Sequence, residues 1–280
     1  HDALPILKEI LKSKELKLWY KKPAERWSQG LPMGNGRVGI MVYGDPEKER
    51  IDLSEVTCFS GERDMRNNQQ GAAEAFYEMR KAQIQGDYEK SREWSNQFIG
   101  VRNNYGTNLP VGYMTLKFDQ GERVKDYRRE LDLNTSISTV TYKKNNISYT
   151  QKAFVSNPDQ IIAFQIKVDQ LKALSFELAL SGGDNPYGLT VDTNNDLLLK
   201  GQAYETKHSD GKTGVDFHGR IRVILKGGHL TSQDSKLIIK EANEAIILVA
   251  LKTSFDDANP VKSCRDMIDQ AAVKSFKQLS

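Results

Sequence analysis

From Val111 to the end of the 250s the chain is a nearly unbroken succession of short segments suited to β-strands. YMTLKF, YRRELDL, SISTVTYK, ISYTQKAFV, QIIAFQIKV, ALSFELAL, DLLLKGQ, FHGRIRVIL, KLIIK and AIILVALKTS follow one another, divided by polar turns such as Asn145-Asn146, Asn157-Pro158 and Gly182-Gly183. About a dozen strands at this spacing point to a β-sandwich rather than a βαβ sheet. Within ALSFELAL, Leu174, Phe176, Leu178 and Leu180 share one face while Ser175 and Glu177 share the other, the alternation of a half-buried strand. Ala245 to Leu251 is apolar on both faces, which places it centrally in the sandwich, although periodicity alone does not exclude a buried helix.

The N-terminal part reads differently. Leu4, Ile6, Leu7, Ile10 and Leu11 recur at helical spacing and predict a short amphipathic helix over 3–13. KLWY at 17–20, VGIMVYG at 38–44 and ERIDLS at 49–54 read as strands, with Asp45-Pro46 turning the chain between the last two. From Gln70 to about Gly100 the period lengthens: Ala72, Ala75, Phe76, Met79 and Ile84 lie three to five apart. Gly86-Asp87 interrupts them before Tyr88, Trp94 and Phe98, so a helical hairpin near 70–98 is inserted into the β domain, its Met and aromatic residues read as packing. The expected fold is all-β dominated: a large sandwich with a short N-terminal helix and this inserted helical segment. A chain of 280 residues accommodates one such domain, placed here over 1–270, with 271–280 returning to polar helix or linker. It opens at His1 without a methionine, signal-like or membrane-spanning run, and so reads as a trimmed or mature chain.

Chemistry concentrates in Trp27 to Gly61, where a glycine-asparagine-glycine turn precedes a strand, a charged hairpin and a second strand. Glycines at 34, 36 and 39 permit positive φ and close backbone approach, and Asn35 and Arg37 are the polar groups such a turn presents. The same spacing serves a plain inter-strand loop. Of the acids Glu49, Asp52, Glu55, Glu62 and Asp64, all but Glu55 are expected simply to face solvent; Glu55 precedes the FSG turn at 59–61 and lies near the polar loop in sequence. His1, His208, His218 and His229 form no metal-ligand pattern, and Cys58 and Cys264 fit either one disulfide or two buried thiols. There is no GxSxG elbow, no P-loop and no dinucleotide fingerprint, since GNGRVG precedes a strand rather than opening a helix. No cofactor is expected. Forty Lys and Arg against 37 Asp and Glu leave a scattered +3, which argues against nucleic acid or an anionic membrane as partner.

The segment RWSQGLPMGNGRVGIMVYGDPEKERIDLSE resembles the opening of the N-terminal domain of glycoside hydrolase family 95, the inverting α-L-fucosidases and relatives. The likeness continues through YRRELDLNTSISTVTY at 127–142, ISYTQKAFVSNPDQIIAFQI at 147–166, ALSFELAL at 173–180 and LKGQA at 199–203. It implies a β-supersandwich whose catalytic acid and water-positioning groups belong to a following (α/α)6 barrel, absent here, so no catalytic residue is expected in this chain. What it carries over is the loop: Trp27, Asn35, Arg37 and Glu55 are expected to line or brace a sugar pocket or the barrel interface, with Arg37 equally suited to a structural salt bridge with a barrel acid or with Glu55. A glycan substrate and a secreted or periplasmic setting follow from the same resemblance. The chain departs from the family's NEDTLWSG at SEVTCFSG, where Ser54, Val56, Cys58 and Phe59 replace Asn, Asp, Leu and Trp. These departures leave open an α-L-galactosidase; aromatic residues among the strands leave open a free-standing carbohydrate-binding module, and a shared sandwich-plus-barrel plan the equivalent domain of a family 65 type phosphorylase, against which the wording GNGRVGIMVYG argues.

Overall fold

The computed structural model describes residues 16–62, 69–98, 104–119 and 123–280, as two antiparallel sheets stacked face to face. The predicted helix over 3–13 lies outside the described residues. The first sheet has nine strands in the order β1 (Lys17–Tyr20), β6 (Lys125–Asp132), β7 (Ile137–Lys144), β8 (Ile147–Val155), β9 (Ile162–Val168), β16 (Glu244–Thr253), β13 (Asp216–Lys226), β12 (Leu197–Gln202) and β11 (Tyr187–Val191). The second has seven, in the order β14 (His229–Gln233), β15 (Lys236–Ala242), β10 (Leu174–Ser181), β5 (Gly112–Phe118), β4 (Lys48–Glu55), β3 (Val38–Val42) and β2 (Leu31–Gly34). The sandwich predicted from strand spacing is the observed architecture.

Alternation places the core. Ile51 and Leu53 of β4, Met114 and Leu116 of β5, Phe176 and Leu178 of β10 and Phe164 and Ile166 of β9 all turn into the inter-sheet layer. The face of ALSFELAL assigned to the interior is the buried one. In β16, Ala245, Ile247, Val249 and Leu251 enter that same layer, while Leu248 and Ala250 point the other way into a second core beneath α3 (Pro260–Ala272). The segment that is apolar on both faces is therefore a central strand covered on both sides. Its outer cover is a helix that strand patterning did not anticipate. Asn259 caps this helix by accepting the Lys262 N–H at 3.1 Å, Pro260 occupies the first turn, and Cys264, Ile268 and Ala271 form its buried stripe.

Residues read as the start of a linker are docked on this second core. Ser275 caps a short helix, α4 (Phe276–Leu279), whose Leu279 is buried and whose Phe276 ring meets Phe154 edge-on at 4.9 Å. The helical hairpin is present as α1 (Ala72–Ile84) and α2 (Tyr88–Phe98), but its packing differs from the expectation. Small residues, Ala75, Ala82 and Ser91, fill the seam between the helices. Phe76 retains an edge contact with Phe98 at 5.5 Å, yet it is exposed, as are Tyr77, Ile84 and Tyr88. A two-helix unit buries only the seam its helices share, so the apolar residues around that seam stay exposed.

Candidate functional site

The glycine-asparagine-glycine turn joins β2 to β3. Asn35 shapes it: the Oδ1 atom accepts the backbone N–H groups of Arg37 at 3.0 Å and Val38 at 2.9 Å, an Asx turn that competes with water for both donors. Gly36 takes φ +92° with open space around it, a conformation an L side chain rarely adopts. The remaining groups of Asn35 bind the domain itself. Its Nδ2 donates to the Ser156 carbonyl at 3.0 Å and its carbonyl accepts from Asn157 Nδ2 at 3.3 Å, which fastens the turn to the β8–β9 connection of the opposite sheet.

Arg37 extends the fastening. Nε donates to Gln160 Oε1 at 2.8 Å and Nη2 to the Gln160 carbonyl at 3.1 Å. Nη1 reaches the Leu251 carbonyl of β16 at 2.8 Å and Glu55 Oε1 at 3.3 Å. A guanidinium with five N–H donors thus directs four bonds into the protein, joining three segments remote in sequence. Glu55 lies inside, with 1% of its side chain exposed. Its second oxygen accepts the Thr57 N–H at 2.6 Å and the Thr57 hydroxyl at 2.5 Å, and that hydroxyl meets Thr253 Oγ1 at 2.5 Å. Asn35, Arg37 and Glu55 are brought together as one inter-sheet clasp, and of the two salt-bridge partners open to Arg37 it is Glu55 that it meets.

Trp27 is not part of it. It opens a 3-10 turn, Trp27–Gln29, that precedes β2, so the length of β2, about 13 Å at the rise of a strand, separates it from Asn35. Its side chain is 63% exposed. The residues that complete the clasp, Thr57, Gln160, Ser156 and Thr253, carry no local signal of this role; only the Asn157-Pro158 turn beside Gln160 stood out in the sequence.

Two further expectations change. Glu49 does not face solvent: β4 alternates so that Glu49, Ile51, Leu53 and Glu55 all point inward. Burial pushes the Glu49 carboxyl up to about 8 despite the N–H groups of Gly44 and Tyr43 donating to Oε1. Asp52 is only 15% exposed, accepting from Arg50 Nε at 2.6 Å and from the Tyr43 hydroxyl at 3.0 Å. Asp64 lies outside the described residues. Cys58 and Cys264 are free and occupy different cores, and burial pushes each thiol up to about 12, so the alternative of two buried thiols holds. Among the described residues no group of His, Cys, Asp and Glu could hold a metal, and no helix is long and apolar enough to cross a membrane.

The family model described as "Glycosyl hydrolase family 65, N-terminal domain" matches residues 18–258. "Alpha-L-fucosidase 2" of Arabidopsis thaliana is 27% identical, over 95% of this chain and 35% of that protein. "Probable alpha-fucosidase A" of Aspergillus niger is 23% identical, over 86% of this chain and 31% of that protein. The chain therefore spans about a third of the length of these relatives. Among solved structures, the "Putative kojibiose phosphorylase from human microbiome" superposes with a TM-score of 0.52 at 11% identity, covering 95% of this chain and 37% of that one, a likeness of fold.

Proposed function

This chain belongs to the glycosyl hydrolase family 65 N-terminal domain family, and on that premise we propose that it is the non-catalytic N-terminal domain of a family 95 type inverting α-L-fucosidase that removes terminal α-L-fucose from glycans. The observation that carries this reading is the 27% identity to an α-L-fucosidase across 95% of the chain. The catalytic acid and base belong to a barrel that follows this domain. The clasp of Asn35, Arg37 and Glu55 braces the end of the sandwich against that barrel, and it acts by holding loops in position, because its polar groups are already engaged within the domain. A substrate of this kind goes with a secreted or periplasmic enzyme.

The test is hydrolysis by the full-length enzyme of an oligosaccharide ending in α-L-fucose, followed by NMR of the first-formed sugar. Release of β-L-fucose is expected, with no turnover by the 280-residue chain alone. Retention of configuration, or failure to release fucose, would remove the reading. A second reading is favoured by the fold shared with a phosphorylase-titled structure: the parent enzyme transfers a glycosyl group to phosphate. Turnover that requires phosphate and yields a sugar phosphate would establish that reading instead.

A further inference from the structure

The outer face of the seven-stranded sheet carries a groove of about 690 Å³ between the 22–26 loop and strands β3 to β5, within the range of roughly 300–1,000 Å³ typical of small-molecule sites. The loop is pinned there by a bond from the Ala24 N–H to the Tyr43 carbonyl at 2.9 Å. Arg50 lies in the groove with its guanidinium 4.1 Å from the centroid of the Tyr113 ring and 5.6 Å from that of Tyr43. Nε is tied to Asp52 at 2.6 Å. Among the described residues the terminal nitrogens Nη1 and Nη2 make no hydrogen bond, although the side chain is held by a ring and a carboxylate. Such a guanidinium is fixed in orientation and still offers two parallel donors, the arrangement that takes a carboxylate bidentately.

The surrounding charge fits an acidic ligand. Lys22, Arg26 and Lys48 also line the groove, all exposed, and none makes an ion pair among the described residues. The opposing carboxylates are Glu25, Asp45 and Asp52, of which Asp52 is committed to Arg50 and Asp45 accepts the Glu47 and Lys48 N–H groups at 2.8 and 3.0 Å. Cationic head groups thus remain available, while Glu25 and Asp45 can accept from hydroxyl groups.

We propose that this groove binds a carboxylate-bearing sugar, a uronate residue of an acidic glycan, with its carboxylate on the free end of Arg50 and its hydroxyls on the flanking acids. The carboxylate preference comes from the groove; that the ligand is a sugar rests on the reading of this domain as part of a glycan-acting enzyme. Titration calorimetry of the 280-residue chain with trigalacturonate and with its carboxyl-reduced, neutral counterpart tests it. Trigalacturonate should bind saturably, more weakly as salt is raised, and about tenfold or more tighter than the neutral trisaccharide, as expected for losing a hydrogen bond to a charged group.

Arg50→Gln should weaken binding by about the same factor. Because Arg50→Gln also strands Asp52, Arg26→Gln and Lys48→Gln, which break no ion pair, provide an independent check and should each reduce affinity and its salt dependence. Equal affinity for the two trisaccharides, or binding untouched by all three substitutions, would overturn the proposal. Absence of binding by the unaltered chain would do so as well, even if the full-length enzyme releases fucose. Conversely, selective binding by an enzyme that releases no fucose would remove the fucosidase reading and uphold the groove.

Discussion

Arg37 and Glu49 show how far a single side chain's position departs from its chemical label. Arg37 holds Glu55 in a site with 1% exposure, so Arg37→Gln leaves a buried carboxylate without its cation, at a cost of about 3–5 kcal/mol. Urea unfolding of the isolated chain measures this; an unchanged midpoint would mean that Arg37 serves a ligand and not the fold. Glu49 makes a prediction in pH. Its carboxyl titrates near 4.5 when unfolded and about 8 when folded, so the native state retains a proton that the unfolded chain has already released between those values. Stability from this group is fully present below about pH 4.5, falls as pH rises towards 8, and is lost above it, at about 1.4 kcal/mol for each pH unit in that window. Glu49→Gln should flatten the decline of the urea midpoint between pH 5 and 8, and parallel curves would refute the assignment. The inward direction of Glu49 was legible in KERIDLSE, where it shares parity with Ile51 and Leu53. The partners of Arg37 were not, since Gln160 and Leu251 lie 123 and 214 residues away.

Among the elements, α3 is the one that covers the outer face of the nine-stranded sheet at β16. Ile268 is fully buried with Leu248 and Ala250 of β16 beneath it, so Ile268→Ala should cost roughly 2–5 kcal/mol. Denaturant titration monitored by circular dichroism reads this directly, and a loss below about 1 kcal/mol would indicate that the helix is weakly held. The signals for this helix are in the sequence: Asn259-Pro260 as cap and first turn, then Cys264, Ile268 and Ala271 at helical spacing. A strand that is apolar on both faces also demands a cover. The strand pattern masked these signals because the helix follows immediately upon it. In the hairpin of α1 and α2 the period correctly revealed two helices, whereas burial of Phe76 and Ile84 did not follow, because period reports an element's type and only tertiary packing decides what it touches.

For the molecule as a whole, strand number and spacing made the sandwich legible, while strand order was hidden. β1 pairs with β6 and β16 enters between β9 and β13, connections that depend on contacts distant in sequence. Protection should follow this arrangement. Amide hydrogen exchange should be slowest in β9, β16 and β13, paired on both sides and covered by α3 and α4, and faster in α1 and α2, which share only a narrow seam. Equal protection of hairpin and central strands would require a packing partner for α1 or α2 beyond the seam.

The late place of β16 in the chain also sets an order of events during synthesis. Strands β6 to β9 and strands β11 to β13 form two blocks that only β16, ending at Thr253, can join, and Leu251 within it supplies the carbonyl that seats Arg37. A nascent chain lacking this strand presents two unpaired sheet edges, each a template for pairing with another chain. Nearly all of the domain must therefore leave the ribosome before its nine-stranded sheet can close, and the interval before β16 emerges is when the chain most needs shielding from its neighbours.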